Sequence, residues 1–319
     1  LNRCGVQLLL LFCLGWLGCS PVPDLIRQGD ALAAEKKYQE ALAAYAEADS
    51  HETGTCQGLL RAGELQLKLN RPGIALKAFE QALEKVPESP AAYVGIARTY
   101  MAKRVYATAI QALDKAAKLA PEDPEPWFTK GMILKDQGKN SEAVIAFENA
   151  IRRNAVHTQA HLRRGDIFFS EGELKKAIKA YTLAVASEPN NSEALVQVGR
   201  TYLLAKQYKP ALRTLQKAVS VNRRNAWAQF YLGEAQYHNK MIDKAVMSYQ
   251  AALRLDRKLG MAYVRLGQIY ERNLMRDRAY DAFQRSVKVD KNCLEGYLNL
   301  ARVQLDRGQK RDASRTLQK

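Results

Sequence analysis

Four side chains in one stretch of this chain have the types and spacing to grip another molecule: Trp227, Phe230, Glu234 and Tyr237. Their offsets of 3, 4 and 3 residues put them on one face of a helix. Trp and Tyr are enriched among interface residues whose truncation costs at least ~2 kcal/mol. The chemistry indicated is therefore recognition of another chain, not bond making. Residues that do bond-making chemistry are scarce. His157 and His161 are four apart, but the spacing puts one in a turn and the other at a helix start, and no HExxH-type glutamate accompanies them. Gly131 and Gly138-Lys139 have the wrong spacing for a phosphate-cradling loop, and Asn140 stands where Ser or Thr is needed. No Gly-x-Ser-x-Gly and no Cys-x-x-Cys occurs. The sequence thus predicts neither catalytic residues nor a metal, and no cofactor.

What positions those side chains is a period. A small residue, a second one 12 positions later and a third 7 after that recur every 34 residues, without insertion or deletion. The series starts at Gly29, Ala41 and Ala48, passes through Gly131, Ala143 and Ala150, and reaches Ala301 and Ala313. An aromatic or Leu recurs at the same period, from Tyr45 and Phe79 to Phe283 and Leu317. A fixed period of this length means stacked supersecondary units. Apolar residues such as Tyr263, Leu266, Ile269 and Tyr270 follow helical spacing, so each unit reads as two helices. Gly inside a helix costs roughly 1 kcal/mol relative to Ala, so its recurrence at one slot points to close helix approach. The prolines agree, since Pro72, Pro90, Pro124, Pro126 and Pro210 fall at helix starts and Pro87, Pro121 and Pro189 in closing turns.

This pattern resembles the tetratricopeptide repeat, with its early aromatic, Leu-Gly, Tyr, Ala, aromatic, Ala and closing Pro. Trp127, Gly131, Ala143, Phe147 and Ala150 match one unit, and Tyr263, Gly267, Tyr270, Ala279 and Phe283 another. The resemblance implies an all-α, right-handed α-solenoid of about nine helix-turn-helix units over 22–319, starting near 22, 56, 90, 124, 158, 192, 226, 260 and 294. It also implies that partners bind the concave face through the second, fifth, ninth and twelfth or thirteenth slots. The fifth slot is apolar throughout, including Phe128, Val196, Phe230 and Val264. The ninth mixes signs, as in Arg200, Glu234 and Gln268, and the twelfth is largely apolar, with Phe169, Leu203 and Tyr237. The family's chaperone-cofactor groove, with Lys at the fifth slot and Asn at the ninth, is not reproduced. An apolar ladder between charges suits an amphipathic helix or an extended apolar segment of another protein. The best patch is expected at Trp227, Phe230, Glu234 and Tyr237 with Arg200, Leu203, Val264 and Gln268. The last helix is polar except for Ala313 and Leu317, as fits either a solvated cap or a repeat array that continues.

Residues 1–21 stand outside the repeat. Arg3 precedes an apolar stretch from Gly5 to Gly18, too short for a comfortable membrane span. It reads as a secretory signal. The ending Leu17-Gly18-Cys19-Ser20 is similar to a bacterial lipoprotein signal, which implies lipidation at Cys19 and, from Ser20, an outer-membrane protein facing the periplasm. Trp16 and Leu17 depart from that pattern, leaving an uncleaved anchor and ordinary cleavage as alternatives. Cys56 and Cys293 lie seven units apart and are expected to be free thiols. The chain carries 49 Lys and Arg against 33 Asp and Glu, a formal charge of +16. Pairs such as Lys175-Lys176, Arg223-Arg224 and Arg257-Lys258 fall at bends and junctions. No aromatic platform interleaves with them, so nucleic acid is not expected. The reading is a non-enzymatic scaffold of the bacterial envelope. A cytoplasmic adaptor with a mis-assigned start, or a module binding polysaccharide or anionic lipid through its basic edges, remain the alternatives.

Overall fold

The computed structural model describes residues 21–51 and 54–318, and these are helical throughout apart from turns. The candidate lipidation site Cys19 and the rest of residues 1–20 lie outside the described residues. Contacts divide the chain into two compact bodies, with the boundary between Ala155 and Val156. The first holds α1 (Val22–Ala34), α2 (Tyr38–His51), α3 (Gln57–Lys68), α4 (Pro72–Lys85), α5 (Pro90–Ala102), α6 (Tyr106–Leu119), α7 (Glu125–Asp136) and α8 (Asn140–Arg153). The second holds α9 (Thr158–Ser170), α10 (Leu174–Ser187), α11 (Ser192–Leu204), α12 (Tyr208–Val221), α13 (Ala226–His238), α14 (Ile242–Leu255), α15 (Gly260–Arg272), α16 (Arg276–Val289), α17 (Leu294–Asp306) and α18 (Lys310–Leu317). Each body is thus a stack of helical pairs, an α-solenoid.

The recurring small residues create the pairs. A Cβ added at Gly267 would stand 2.5 Å from the Phe283 ring, and one at Gly131 2.6 Å from Phe147. The same clash recurs between Gly29 and Tyr45, Gly63 and Phe79, Gly165 and Tyr181, Gly199 and Leu215, and Gly233 and Tyr249. In each case the large residue lies 16 positions on, in the partner helix of the same pair. The large side chain seats against bare backbone, and the Ala slots around it are buried. Tight interhelical approach follows from that absence of side chain.

Helix ends follow local chemistry. The side chains of Ser89, Asn191 and Asn225 each accept a hydrogen bond from the amide three residues on, capping α5, α11 and α13. Every first helix of a pair closes on a left-handed residue. Gly138, Gly172 and Gly308 hold that place in three pairs, but Lys36, Asn70, Arg104, Lys206, Lys240 and Leu274 hold it elsewhere. In the turn after α11 the Lys206 amide bonds Leu203 O and the Gln207 amide bonds Tyr202 O, the doubled closure of a Schellman turn. Leu274 sits at φ 62° and is 80% exposed, so its side chain contributes strain without packing. Leu274→Gly is expected to stabilise the second body by ~1 kcal/mol, seen as a higher melting temperature.

Beyond their partners, first helices also touch each other. In the first body α1 packs on α3, α3 on α5 and α5 on α7; in the second, α11 packs on α13 and α15 on α17. Residues of the first helices therefore come together on one face of each body.

Candidate partner-docking surface

The first-helix face of the second body carries a cleft of about 420 Å³ between α11 and α13. Glu193, Val196, Gln197 and Arg200 line one wall, and Asn225, Trp227 and Tyr231 the other. Trp227 is 48% exposed, a large aromatic surface left to solvent. It is held in place, not free: Phe230 meets it edge-on at 5.9 Å and Tyr231 stacks on it at 5.8 Å. Arg200 lies 4.3 Å over the Phe169 ring, which fixes a guanidinium at the opposite wall. Burial raises the Tyr231 hydroxyl above its ordinary pKa, so this wall is a neutral phenol. The arrangement offers an aromatic shelf and a positive charge, with the Glu193 carboxylate on the same wall as Arg200.

Several side chains expected to face a partner do not. Phe230 and Val264 are 4% and 0% exposed, and Val196 shows only 6% of its surface at the cleft wall. The cause is the neighbouring repeat: Phe230 packs with Leu259, Leu266 and Ile269, and Val264 with Cys293, Leu300 and Val303. The fifth slot is apolar because it joins repeats. Leu298, at the same slot, is half exposed, with no further repeat on it among the described residues. Phe128 and Leu203 are half-buried; Phe128 tilts on Phe147 in the first body. Tyr237 is half-buried under Arg272, 5.4 Å from its ring.

Glu234 and Gln268 are engaged within the protein. The Tyr249 hydroxyl donates to Glu234, as Tyr45 donates to Asp30 at 2.7 Å and Tyr181 to Asp166 at 2.9 Å. Burial first, and the adjoining carboxylate second, push all three phenols far above their ordinary range. Arg265 then bridges repeats: Nε donates to Glu234 at 3.0 Å, while Nη1 donates to Glu295 at 2.6 Å and to Gln268 at 3.1 Å. Sequence reasoning passed over Arg265. The available signal was opposite charges about one period apart, 31 residues back to Glu234 and 30 on to Glu295. In the first body Arg98 makes the same kind of bridge, to Glu64 and Glu125.

His157 and His161, two of the four histidines, both belong to α9 and its cap. His157 Nδ1 accepts the Ala160 amide at 3.2 Å as the cap of α9, and His161 is buried in that helix. Among the described residues no group of three or more His, Cys, Asp or Glu is placed to hold a metal. Cys56 and Cys293 are free and buried. No helix among the described residues is long and apolar enough to cross a membrane.

Family comparison follows the same periodicity. A sequence profile described as tetratricopeptide repeat matches residues 60–124, 128–192 and 199–259, and a second of that description matches 168–226. The chain belongs to the tetratricopeptide repeat family. No curated protein matches it. Among solved structures, it resembles the C-terminal part of a TPR repeat-containing protein from Cytophaga hutchinsonii, with TM-score 0.59 at 17% identity over 76% of this chain and 99% of that one. It also resembles the APC/C hetero-tetramer Cut9-Hcn1, with TM-score 0.56 at 16% identity. That match covers 89% of this chain but 60% of the other's length. A thermophilic TPR protein of Thermus thermophilus matches at TM-score 0.50 and 19% identity, over 57% of this chain and 99% of that one. At these identities the likeness is one of fold. For a tetratricopeptide repeat protein, the slots that face outward are thus fewer than the pattern suggests: Trp227 and Arg200 stand out, because no neighbouring repeat covers the indole.

Proposed function

We propose that this tetratricopeptide repeat protein is a non-catalytic scaffold of the bacterial envelope, tethered through a lipid on Cys19. It takes its partner on the cleft between α11 and α13. The observation that carries the docking reading is Trp227, half exposed yet clamped by Phe230 and Tyr231 opposite Arg200. A rigid aromatic loses little conformational freedom on binding, which is what makes such a residue an anchor. The partner segment that fits offers an apolar side chain to the indole and a carboxylate to Arg200, as an amphipathic helix does. The envelope reading is supported by the apolar stretch 5–18 ending at Leu17-Gly18-Cys19-Ser20. Several acyl chains, at about 0.8 kcal/mol per buried CH₂, would hold the protein firmly on a membrane.

Crosslinking on native membranes followed by mass spectrometry identifies the partner, and Trp227→Ala then tests the cleft. Capture is expected to fall roughly 30-fold, the equivalent of ~2 kcal/mol, with an unchanged melting curve because the indole is half in solvent. Undiminished capture defeats the cleft as the docking site. Palmitate labelling with fractionation tests the anchor: label on the wild type and none on Cys19→Ser is expected, whereas an unlabelled wild type in a soluble, cytoplasmic pool favours the cytoplasmic adaptor.

A further inference from the structure

On a different side of the second body, α14, α15 and α16 enclose a larger cleft, about 620 Å³. Four arginines edge it: Arg254, Arg257, Arg278 and Arg285. Tyr263 and Tyr270 stand among them. The floor is aliphatic, formed by the buried Leu253, Leu266 and Ala282. We infer that this cleft is a second binding site, one that takes an acidic peptide segment in which carboxylates alternate with apolar side chains.

The fold makes little use of these arginines; among the described residues their one side-chain bond, from Arg278 Nη1 to Met275 Sδ at 3.9 Å, is to a weak sulfur acceptor. Among the described residues none of the four reaches a carboxylate, although Asp281 lies in the same lining. Elsewhere in this body Arg265, Arg302 and Arg307 each hold an acid from a neighbouring helix. Arg254 sits in the last turn of its helix, where the helix dipole favours a cation. Arg278 is in the first turn of α16, where that dipole opposes one. Four like charges around one cleft repel each other, and an anion relieves that repulsion.

Repetition supplies a control. One period earlier, the positions of Arg254, Arg257, Arg278 and Arg285 are Ser220, Arg223, Lys244 and Ala251; two periods earlier they are Ala186, Pro189, Pro210 and Lys217. In no other pair of repeats do four arginines coincide at these slots. The repeat framework therefore does not demand them.

Geometry selects the ligand. Arg278 and Arg285 are seven residues apart on one helix, which separates their Cα atoms by about 10 Å along its axis. That spread suits several separate anionic groups better than one phosphate. The floor of leucines and tyrosine rings asks for apolar groups between the charges, which a sugar-phosphate chain lacks. An acidic peptide supplies both, and guanidinium forks receive carboxylates in paired hydrogen bonds. The site is independent of the Trp227 cleft: no residue lines both, and the two are built on different helices.

The test uses the full chain and a fluorescein-labelled peptide built of Glu, Asp, Leu and Phe, read by anisotropy at physiological salt. Saturable binding is expected, and Arg278→Gln with Arg285→Gln is expected to weaken it at least ~10-fold. Arg254→Gln with Arg257→Gln, on the other wall, is expected to do the same. Lys209→Gln with Arg213→Gln on α12 removes equal charge elsewhere and is expected to leave binding within about 2-fold. All these side chains are exposed, and circular dichroism verifies each fold. Failure of the peptide to bind, equal losses in the α12 control, equal binding of a Gln/Asn version of the peptide, or preferential capture of phosphatidylglycerol vesicles through the same arginines each overturns the proposal.

Discussion

Gly267→Val is expected to destabilise the α15–α16 pair by ~3 kcal/mol, because the added side chain enters the space of the Phe283 ring. Phe283 is fully buried, and the first added carbon alone would lie 2.5 Å from it. Overpacking of this kind typically costs 1–3 kcal/mol, and two further methyl groups put this case at the upper end. Gly267→Ala sets the same clash against a gain of roughly 1 kcal/mol in helix propensity, so its net loss is smaller. The chain itself points to a rescue. Two repeats have Ala where the others have Gly, Ala97 and Ala301, and the residue 16 positions on is Leu113 or Leu317, not a ring; Ala97 and Leu113 share one core cluster. Leucine has branches that swing aside where a ring does not. Gly267→Ala with Phe283→Leu should therefore be more stable than the sum of the single changes allows, by about 1 kcal/mol or more. Stacked repeats unfold in parts, so the readout is amide exchange in α15 and α16 compared with α9 and α10. Unchanged protection in the valine variant would show that the ring does not depend on bare backbone.

That pairing of Gly with ring was legible before any coordinates, because both partners recur at a fixed distance inside one repeat. The docking surface was less so, for two physical reasons. An apolar slot looks the same whether it faces a partner or the next repeat; Phe230 and Val264 face the next repeat. A charged slot looks available until its internal counter-charge is found. For Glu234 that partner is a tyrosine hydroxyl 15 residues on and a guanidinium 31 residues on. The sequence does carry a correlate that was not read: Tyr45, Tyr181 and Tyr249 take the ring slot in repeats with Asp30, Asp166 and Glu234 beside the Gly. A phenol needs an acceptor when buried, and the acid beside the Gly is within its reach. What no period could show is exposure. Trp227 differs from Trp127 in that its ring stays half in solvent, while Trp127 is covered by Arg153 at 4.5 Å.

Arg265→Met is expected to cost ~2 kcal/mol, more than a surface charge is ordinarily worth. The Glu234 side chain is 15% exposed and that of Arg265 25%, so the pair sits mostly out of water. Burial alone would lower the Arg265 pKa, but Glu234 and Glu295 outweigh it and the guanidinium is held above its ordinary value. Breaking a fully buried pair from one side typically costs 3–5 kcal/mol, and the remaining exposure here discounts that figure. Most of the loss comes from the carboxylates left behind. Adding Glu234→Gln and Glu295→Gln to Arg265→Met should therefore recover more than half of it, even though three charges are then gone. Arg265→Lys should not substitute, because one ammonium cannot reproduce the Nε and Nη1 bonds made to two different helices. Denaturant midpoints of the four proteins decide the matter. If the triple variant is no more stable than Arg265→Met, the arginine acts through the packing of its stem and not as a charge bridging α13, α15 and α17.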